Sequence, residues 1–208
     1  MADDDVVRAA VRTERRELAA MLGDMSPETW GAATLCDGWR VREVVAHMTM
    51  PFRMSAPRFL AAMVRARGNF NRMADRQARR DTAKMSDVEL LESLRDNVDH
   101  QWKPPGGGIA GALSHDVIHG LDIAVGAGLP RRPPADRVGL VLGTMRESNR
   151  NYFGVDLTGV RLVATDLDWE FGDGEPLRGT AADLLLVLCG RRVAEARLDG
   201  AQANRYVR

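Results

Sequence analysis

Over roughly the first 150 residues the apolar positions recur at helical spacing. Val6, Val7, Ala10, Val11, Leu18, Met21 and Leu22 form one stripe over residues 4–22, and Gly23 is a natural stop. Ser26-Pro27 suits a further short turn reaching Trp30. Asp37-Gly38 reads as a turn. A helix beginning near Trp39 then carries Val41, Val44, Val45 and Met48 on its inner side, and His47 shares that side. Pro51 kinks this helix or ends it, and Pro57 is a second break among Phe52, Met54, Phe59, Leu60, Met63 and Val64. Residues 67–84 are polar and arginine-rich, with Phe70 and Met73 as their large apolar anchors, so they read as a mobile or surface helical segment.

Ser86-Asp87-Val88-Glu89 is a capping box. It opens a helix with Val88, Leu90, Leu91, Leu94 and Val98 on its apolar side, which stops before Pro104-Pro105. His100 falls in the polar last turn, where the helix dipole favours a cation, and reads as a surface histidine. Gly106-Gly107-Gly108 is a hinge into a largely buried helix from about Ile109 to Ala127, with Gly128 and Pro130 beyond its end. Another helix is expected over residues 135–150.

The period then changes. Residues 159–165 partly alternate and are rich in β-branched residues, and 168–172 read as a second strand with a turn at Gly172-Asp173-Gly174. Thr180 and Asp183 cap a last apolar helix through Cys189, followed by a short helix ending near Gly200. The expected organisation is a helical bundle over 1–152 and a small α+β region over 153–208.

Composition narrows the function. Lys plus Arg equals Asp plus Glu at 29 each, which argues against a dedicated nucleic-acid binder. The cluster Arg65, Arg67, Arg72, Arg76, Arg79 and Arg80 reads first as a solvated helix face and second as a place for an anionic ligand. No apolar run is long enough to span a membrane. The acidic start lacks the pattern of a signal peptide, and two cysteines, Cys36 and Cys189, suit a reducing cytoplasm.

Candidate chemistry sits in Ser114-His115-Asp116-Val117-Ile118-His119-Gly120-Leu121-Asp122, which holds two of the chain's four histidines. Four residues apart on a helix, they share one face and can present two imidazoles to one cation. Core histidines with ordinary hydrogen-bond partners are the competing reading. His47 is the best third ligand. Asp122, one turn beyond His119, is either an acceptor for a ligand's second nitrogen or a surface or capping carboxylate. Cys36 reads as a packed turn residue, Cys189 as core filling, and Trp39 as an anchor for a helix start.

These motifs resemble one family. Thr34, Cys36, Trp39 and Val41 leading to His47, then His115-x-x-x-His119-x-x-Asp122, then Gly179-Thr180-Ala181-Ala182-Asp183-Leu184 and Gly190-Arg191 are similar to the DinB-like, mycothiol-dependent maleylpyruvate isomerase proteins. The resemblance implies a mainly α fold, a four-helix bundle with a small C-terminal α+β appendage, and a divalent metal, usually zinc, between helices. It places His47 and His119 at ligand positions. His115 stands where the isomerase itself has Glu and DinB-like relatives often have His. The exchange of an anionic ligand for a neutral one leaves the site one unit more positive.

Three imidazoles would leave one or two zinc positions open, and a thiol entering there loses its proton. The expected activity is therefore activation of mycothiol for transfer to, or isomerisation of, a small electrophile, with no catalytic group beyond the metal centre. The alternatives are a metal-dependent hydrolase, with Asp116 or Asp122 as base, and a non-catalytic metal- or small-molecule-binding module. Neither the electrophile nor the oligomeric state is written in the sequence.

Overall fold

The computed structural model describes residues 3–145 and 152–208. The chain forms two compact units, one of residues 8–131 and one of residues 1–7 with 132–208. The periodicity of the sequence changes later than this, after residue 152.

In the first unit the long helix α1 (Asp4–Gly23, whose first residues group with the second unit) is followed by a single turn α2 (Pro27–Trp30), then α3 (Val41–Arg53), α4 (Ala56–Arg65), α5 (Phe70–Thr82), α6 (Asp87–Arg95) and α7 (Gly108–Gly126). The core is the layer that the apolar pattern implies. Leu18 and Leu22 of α1, Val41, Val44, Val45 and Met48 of α3, Leu90 and Leu94 of α6, and Ile123 of α7 pack together almost without solvent contact. Each such side chain stabilises the fold by roughly 1.5–3 kcal/mol relative to exposure.

α3 is central, packing against α2, α5, α6 and α7. Pro51 does not end it: the helix runs on to Arg53 with Pro51 in its last turn, where the ring nitrogen has no N–H to donate to His47 O. The capping box of α6 forms as expected. Ser86 Oγ accepts from Glu89 N at 3.3 Å and Glu89 Oε2 accepts from Ser86 N at 2.7 Å.

Two expectations are qualified here. The surface helical segment expected over 67–84 is present as a helix, with one face in the core. Its helix α5 buries Met73, Ala74, Ala78 and Asp81 and lies close against α3. Small alanines at i and i+4 permit that approach, and a scan for large apolar residues passes over them. His100 lies five residues beyond the end of α6, so no helix dipole supports a charge on it. Its Nδ1 accepts from Trp102 N at 3.0 Å. Burial, and then the Arg15 guanidinium, push its pKa below the usual histidine value.

The second unit contains α8 (Ala135–Leu142), three strands and α9 (Ala181–Leu188). The helix expected over 135–150 is shorter than that: it ends at Leu142 with Gly143 as its C-cap and a turn after it, and residues 146–150 lie outside the described residues. Strands β1 (Val160–Ala164) and β2 (Glu170–Gly172) match the alternating segments, and β3 (Glu175–Gly179) is an addition to them. β1 is central, antiparallel to β2 and parallel to β3. The chain therefore passes from one edge to the other around the start of β1 within two residues. Gly174 makes this possible: its φ is +120°, and a Cβ there would run into the backbone of Gly159. Leu162 and Leu177 are buried in the layer between the sheet and α9, which is itself buried along its whole length and so reads as a core helix. Thr180 Oγ1 accepts from Asp183 N at 3.2 Å as its N-cap.

Candidate metal centre

The site begins with a turn. Thr34 N donates to Trp39 O and Trp39 N to Cys36 O, at 3.1 and 3.0 Å. Thr34 Oγ1 donates to Trp39 O at 2.9 Å and accepts from Cys36 N at 3.1 Å. α3 leaves this turn with Glu43 Oε2 accepting from Arg40 N at 3.0 Å. The turn is fastened to α7 where Leu35 N donates to Asp122 O at 3.1 Å. Gly126 allows that approach. A Cβ on it would sit 2.7 Å from Thr34 C and 2.9 Å from Leu35 N.

One and a half turns into α3, His47 emerges between Ala46 and Met48, and it is 7% exposed. α7 brings His115 and His119 to meet it. The ring centroid of His47 lies 5.2 Å from that of His115 and 4.9 Å from that of His119, and the two α7 rings are 4.9 Å apart. One ring nitrogen from each lies within 4.8 Å of the others, which makes the three a group able to hold one cation.

Carboxylates orient two of the rings. His115 Nδ1 is 3.0 Å from Asp116 Oδ1, and His119 Nδ1 is 3.1 Å from Asp122 Oδ2. A carboxylate at Nδ1 keeps the proton there and leaves Nε2 with its lone pair, the tautomer that a cation needs. His47 supports the same fit differently. Its Nδ1 is buried and has no hydrogen-bond partner among the described residues, a costly arrangement for a polar atom. Burial first, and then the neighbouring His119 and His115, hold its pKa well below the usual histidine value, against a smaller opposing pull from Asp122. His47 is thus a neutral imidazole at pH 7, which is the ligating form. The donor set suits zinc or another borderline divalent cation better than calcium or magnesium, which prefer oxygen.

A second layer stands behind the histidines. Asp116 also receives Arg15 Nε at 2.7 Å, and Arg15 is wholly buried although it comes from α1. Arg15 Nη1 donates in addition to His100 O at 2.8 Å. Asp122 also accepts from Cys36 Sγ at 3.0 Å. Trp39, Phe70 and Trp102 lie around the imidazoles: Trp39 is 5.2 Å from His47, Phe70 6.4 Å from His47, and Trp102 5.1 Å from His115. Trp39 is the anchor expected of it, donating Nε1 to Asp75 at 2.9 Å, and it is a wall of the site as well.

The structure therefore assembles His47, His115, His119 and Asp122, and it buries Asp122 completely. The sequence alone does not give Asp116 this role, nor does it point to Arg15 or Trp102. Asp116 follows His115 directly, and that adjacency is a signal by which the two can be paired. Arg15 offers no signal, because an arginine in a long amphipathic helix looks solvent-facing.

The chain is a mainly helical protein with a small three-stranded C-terminal sheet and a possible three-histidine metal site. Residues 11–105 match the family model described as the mycothiol maleylpyruvate isomerase N-terminal domain. Two crystal structures share its fold. One is a His-to-Ala mutant of the mycothiol-dependent maleylpyruvate isomerase, with a TM-score of 0.60, 12% identity, and coverage of 97% of this chain and 94% of that one. The other is the mycothiol-dependent maleylpyruvate isomerase, with a TM-score of 0.52 and the same identity and coverage. No curated protein sequence matches the chain significantly. No helix among the described residues is long and apolar enough to cross a membrane.

Proposed function

We propose that this protein is a metal-dependent enzyme that activates a low-molecular-weight thiol, mycothiol, for transfer to or isomerisation of a small electrophile. His47, His115 and His119 hold the cation, and Asp122 orients His119. A zinc ion bound by these residues would supply a Lewis acid with a vacant coordination position, favouring the deprotonated form of an incoming thiol.

The chain's own residues contribute the rest. Three neutral imidazoles leave the charge of a divalent cation uncancelled, which strengthens its pull on an anionic sulfur. Asp116 and Asp122 hold two rings in the tautomer with Nε2 available. Trp39, Phe70 and Trp102 provide an apolar surround that limits water around a nucleophile. The observation that carries the proposal is the meeting of three imidazoles from two helices, α3 and α7, that lie far apart in the chain. The family match over residues 11–105 supports the choice of thiol.

Hydrolysis is less well supported, because it needs a carboxylate at liberty to take a proton from water. Asp116 is engaged by Arg15 and His115, and Asp122 by His119 and Cys36. Calorimetric titration of mycothiol into zinc-loaded protein tests the proposal. Binding that disappears in His119→Ala supports it. Metal retention without any response to thiols would favour a non-catalytic metal-binding module, and turnover of esters or amides without thiol would favour hydrolysis.

A further inference from the structure

A second set of metal-binding atoms adjoins the first and shares one residue with it. Cys36 Sγ, Asp122 Oδ2 and the Nδ1 side of His119 are 3.0, 3.1 and 3.7 Å apart in pairs (Sγ–Oδ2, Nδ1–Oδ2 and Sγ–Nδ1). A tetrahedral zinc-type ion with bonds of about 2.0 Å to N and O and about 2.3 Å to S separates its ligands by roughly 3.3–3.5 Å. The three atoms need to move by only a few tenths of an ångström. Their positions are set by structure that exists without an ion: the Thr34 hydrogen bonds hold the Cys36 turn, and Leu35 N ties that turn to Asp122 O. Cys36 is partly exposed, so an ion can reach it.

We infer that Cys36, Asp122 and His119 form a second, thiolate-containing site for a thiophilic divalent cation, an alternative to the three-histidine site. The charges favour it. A thiolate and a carboxylate together cancel a divalent cation, whereas three imidazoles cancel none of it, and soft sulfur selects for soft ions. Binding releases the Cys36 Sγ proton to solvent. His119 decides between the sites, because a neutral imidazole has one nitrogen lone pair at a time. With its proton on Nδ1 it serves the cluster with His47 and His115; with its proton on Nε2 it serves Cys36 and Asp122. Thiophilic ions therefore divert His119 from the first site. This inference shares a residue with the proposed centre and needs none of its thiol chemistry.

Cadmium chloride titrated into the metal-free full chain tests it, in the wild type, Cys36→Ser and His47→Ala. Two readouts are followed: thiolate-to-cadmium absorption in the ultraviolet, and the alkylation rate of Cys36 by mass spectrometry, with buried Cys189 as internal control. Wild type and His47→Ala should both show the absorption at one equivalent and alkylate Cys36 at least about tenfold more slowly. Cys36→Ser should lose the absorption, and its affinity for cadmium should fall by at least the roughly 10- to 100-fold that follows loss of a mere supporting partner. Unchanged alkylation of Cys36 in cadmium, or absorption that persists in Cys36→Ser, overturns the inference. Should His47→Ala not fold, protection of Cys36 in the wild type decides alone. Cation binding abolished by His47→Ala without any protection of Cys36 would refute this site and leave the three-histidine site standing.

Discussion

Removal of the Arg15 side chain should be the most damaging single change behind the site. Arg15 and Asp116 are both buried, at 0% and 2% side-chain exposure, and they meet at 2.7 Å. Arg15→Met keeps much of the volume and deletes the charge. Asp116 is then left as a buried carboxylate without its cation, with His115 Nδ1 still beside it, and breaking such a buried pair costs about 3–5 kcal/mol. The carbonyl of His100 also loses a donor at 2.8 Å. That loss belongs to the same event and is not added. For a chain near 200 residues the destabilisation corresponds to a fall in Tm of about 6–20 °C.

Chemical denaturation of the metal-free protein measures the stability directly, and a double-mutant cycle with Asp116→Leu isolates the pair. The double variant should recover part of the loss, since no charge is then stranded. A second effect is expected at His115, whose Nδ1 partner is Asp116: zinc affinity of the folded Arg15→Met protein should fall. A loss below about 1 kcal/mol, the range of solvent-exposed pairs, together with no coupling in the cycle, would refute the reasoning.

Three further outcomes are expected. Asp122→Asn should weaken zinc binding by about 10- to 100-fold, measured by competition with a chelator, because the ring of His119 loses its charged partner. Gly126→Ala should destabilise the protein by about 1–3 kcal/mol in urea, since the new methyl meets the backbone of Thr34 and Leu35, which cannot yield as a flexible side chain would. The stability of the metal-free protein should depend on pH through His47. Its folded pKa lies below the unfolded value near 6.5, so below that pH the unfolded chain binds a proton that the folded chain refuses. Stability contributed by neutral His47 is present above about pH 6.5 and is lost as pH falls. His47→Gln should flatten the stability profile between about pH 5 and 6.5, and an unchanged slope would contradict the assignment.

Helix positions are legible in the sequence because buried aliphatics recur at 3.6 spacing and caps such as Ser86/Glu89 and Thr180/Asp183 are local. The histidine cluster is legible for a related reason: i,i+4 spacing puts His115 and His119 on one face, and His47 lies among inward residues. What escapes depends on contacts between distant segments. α5 packs through Ala74 and Ala78, which carry little hydrophobic signal. β3 contains a proline and alternates poorly, and it is a strand because β1 offers it an edge beside the Gly174 turn. Arg15 reaches Asp116 across 101 residues of sequence, and Cys36 reaches Asp122 across 86, and no local pattern records either.

X-ray absorption at the zinc edge of the Cys36→Ser protein, before and after addition of mycothiol, tests the central claim most directly, since that background removes the chain's own nearby sulfur. The account predicts one zinc per chain with three imidazole nitrogens, and one sulfur at about 2.3 Å once mycothiol is added. A protein that takes up no zinc, or a zinc whose imidazoles survive the triple replacement of His47, His115 and His119, would contradict it, as would a coordination sphere that no thiol enters.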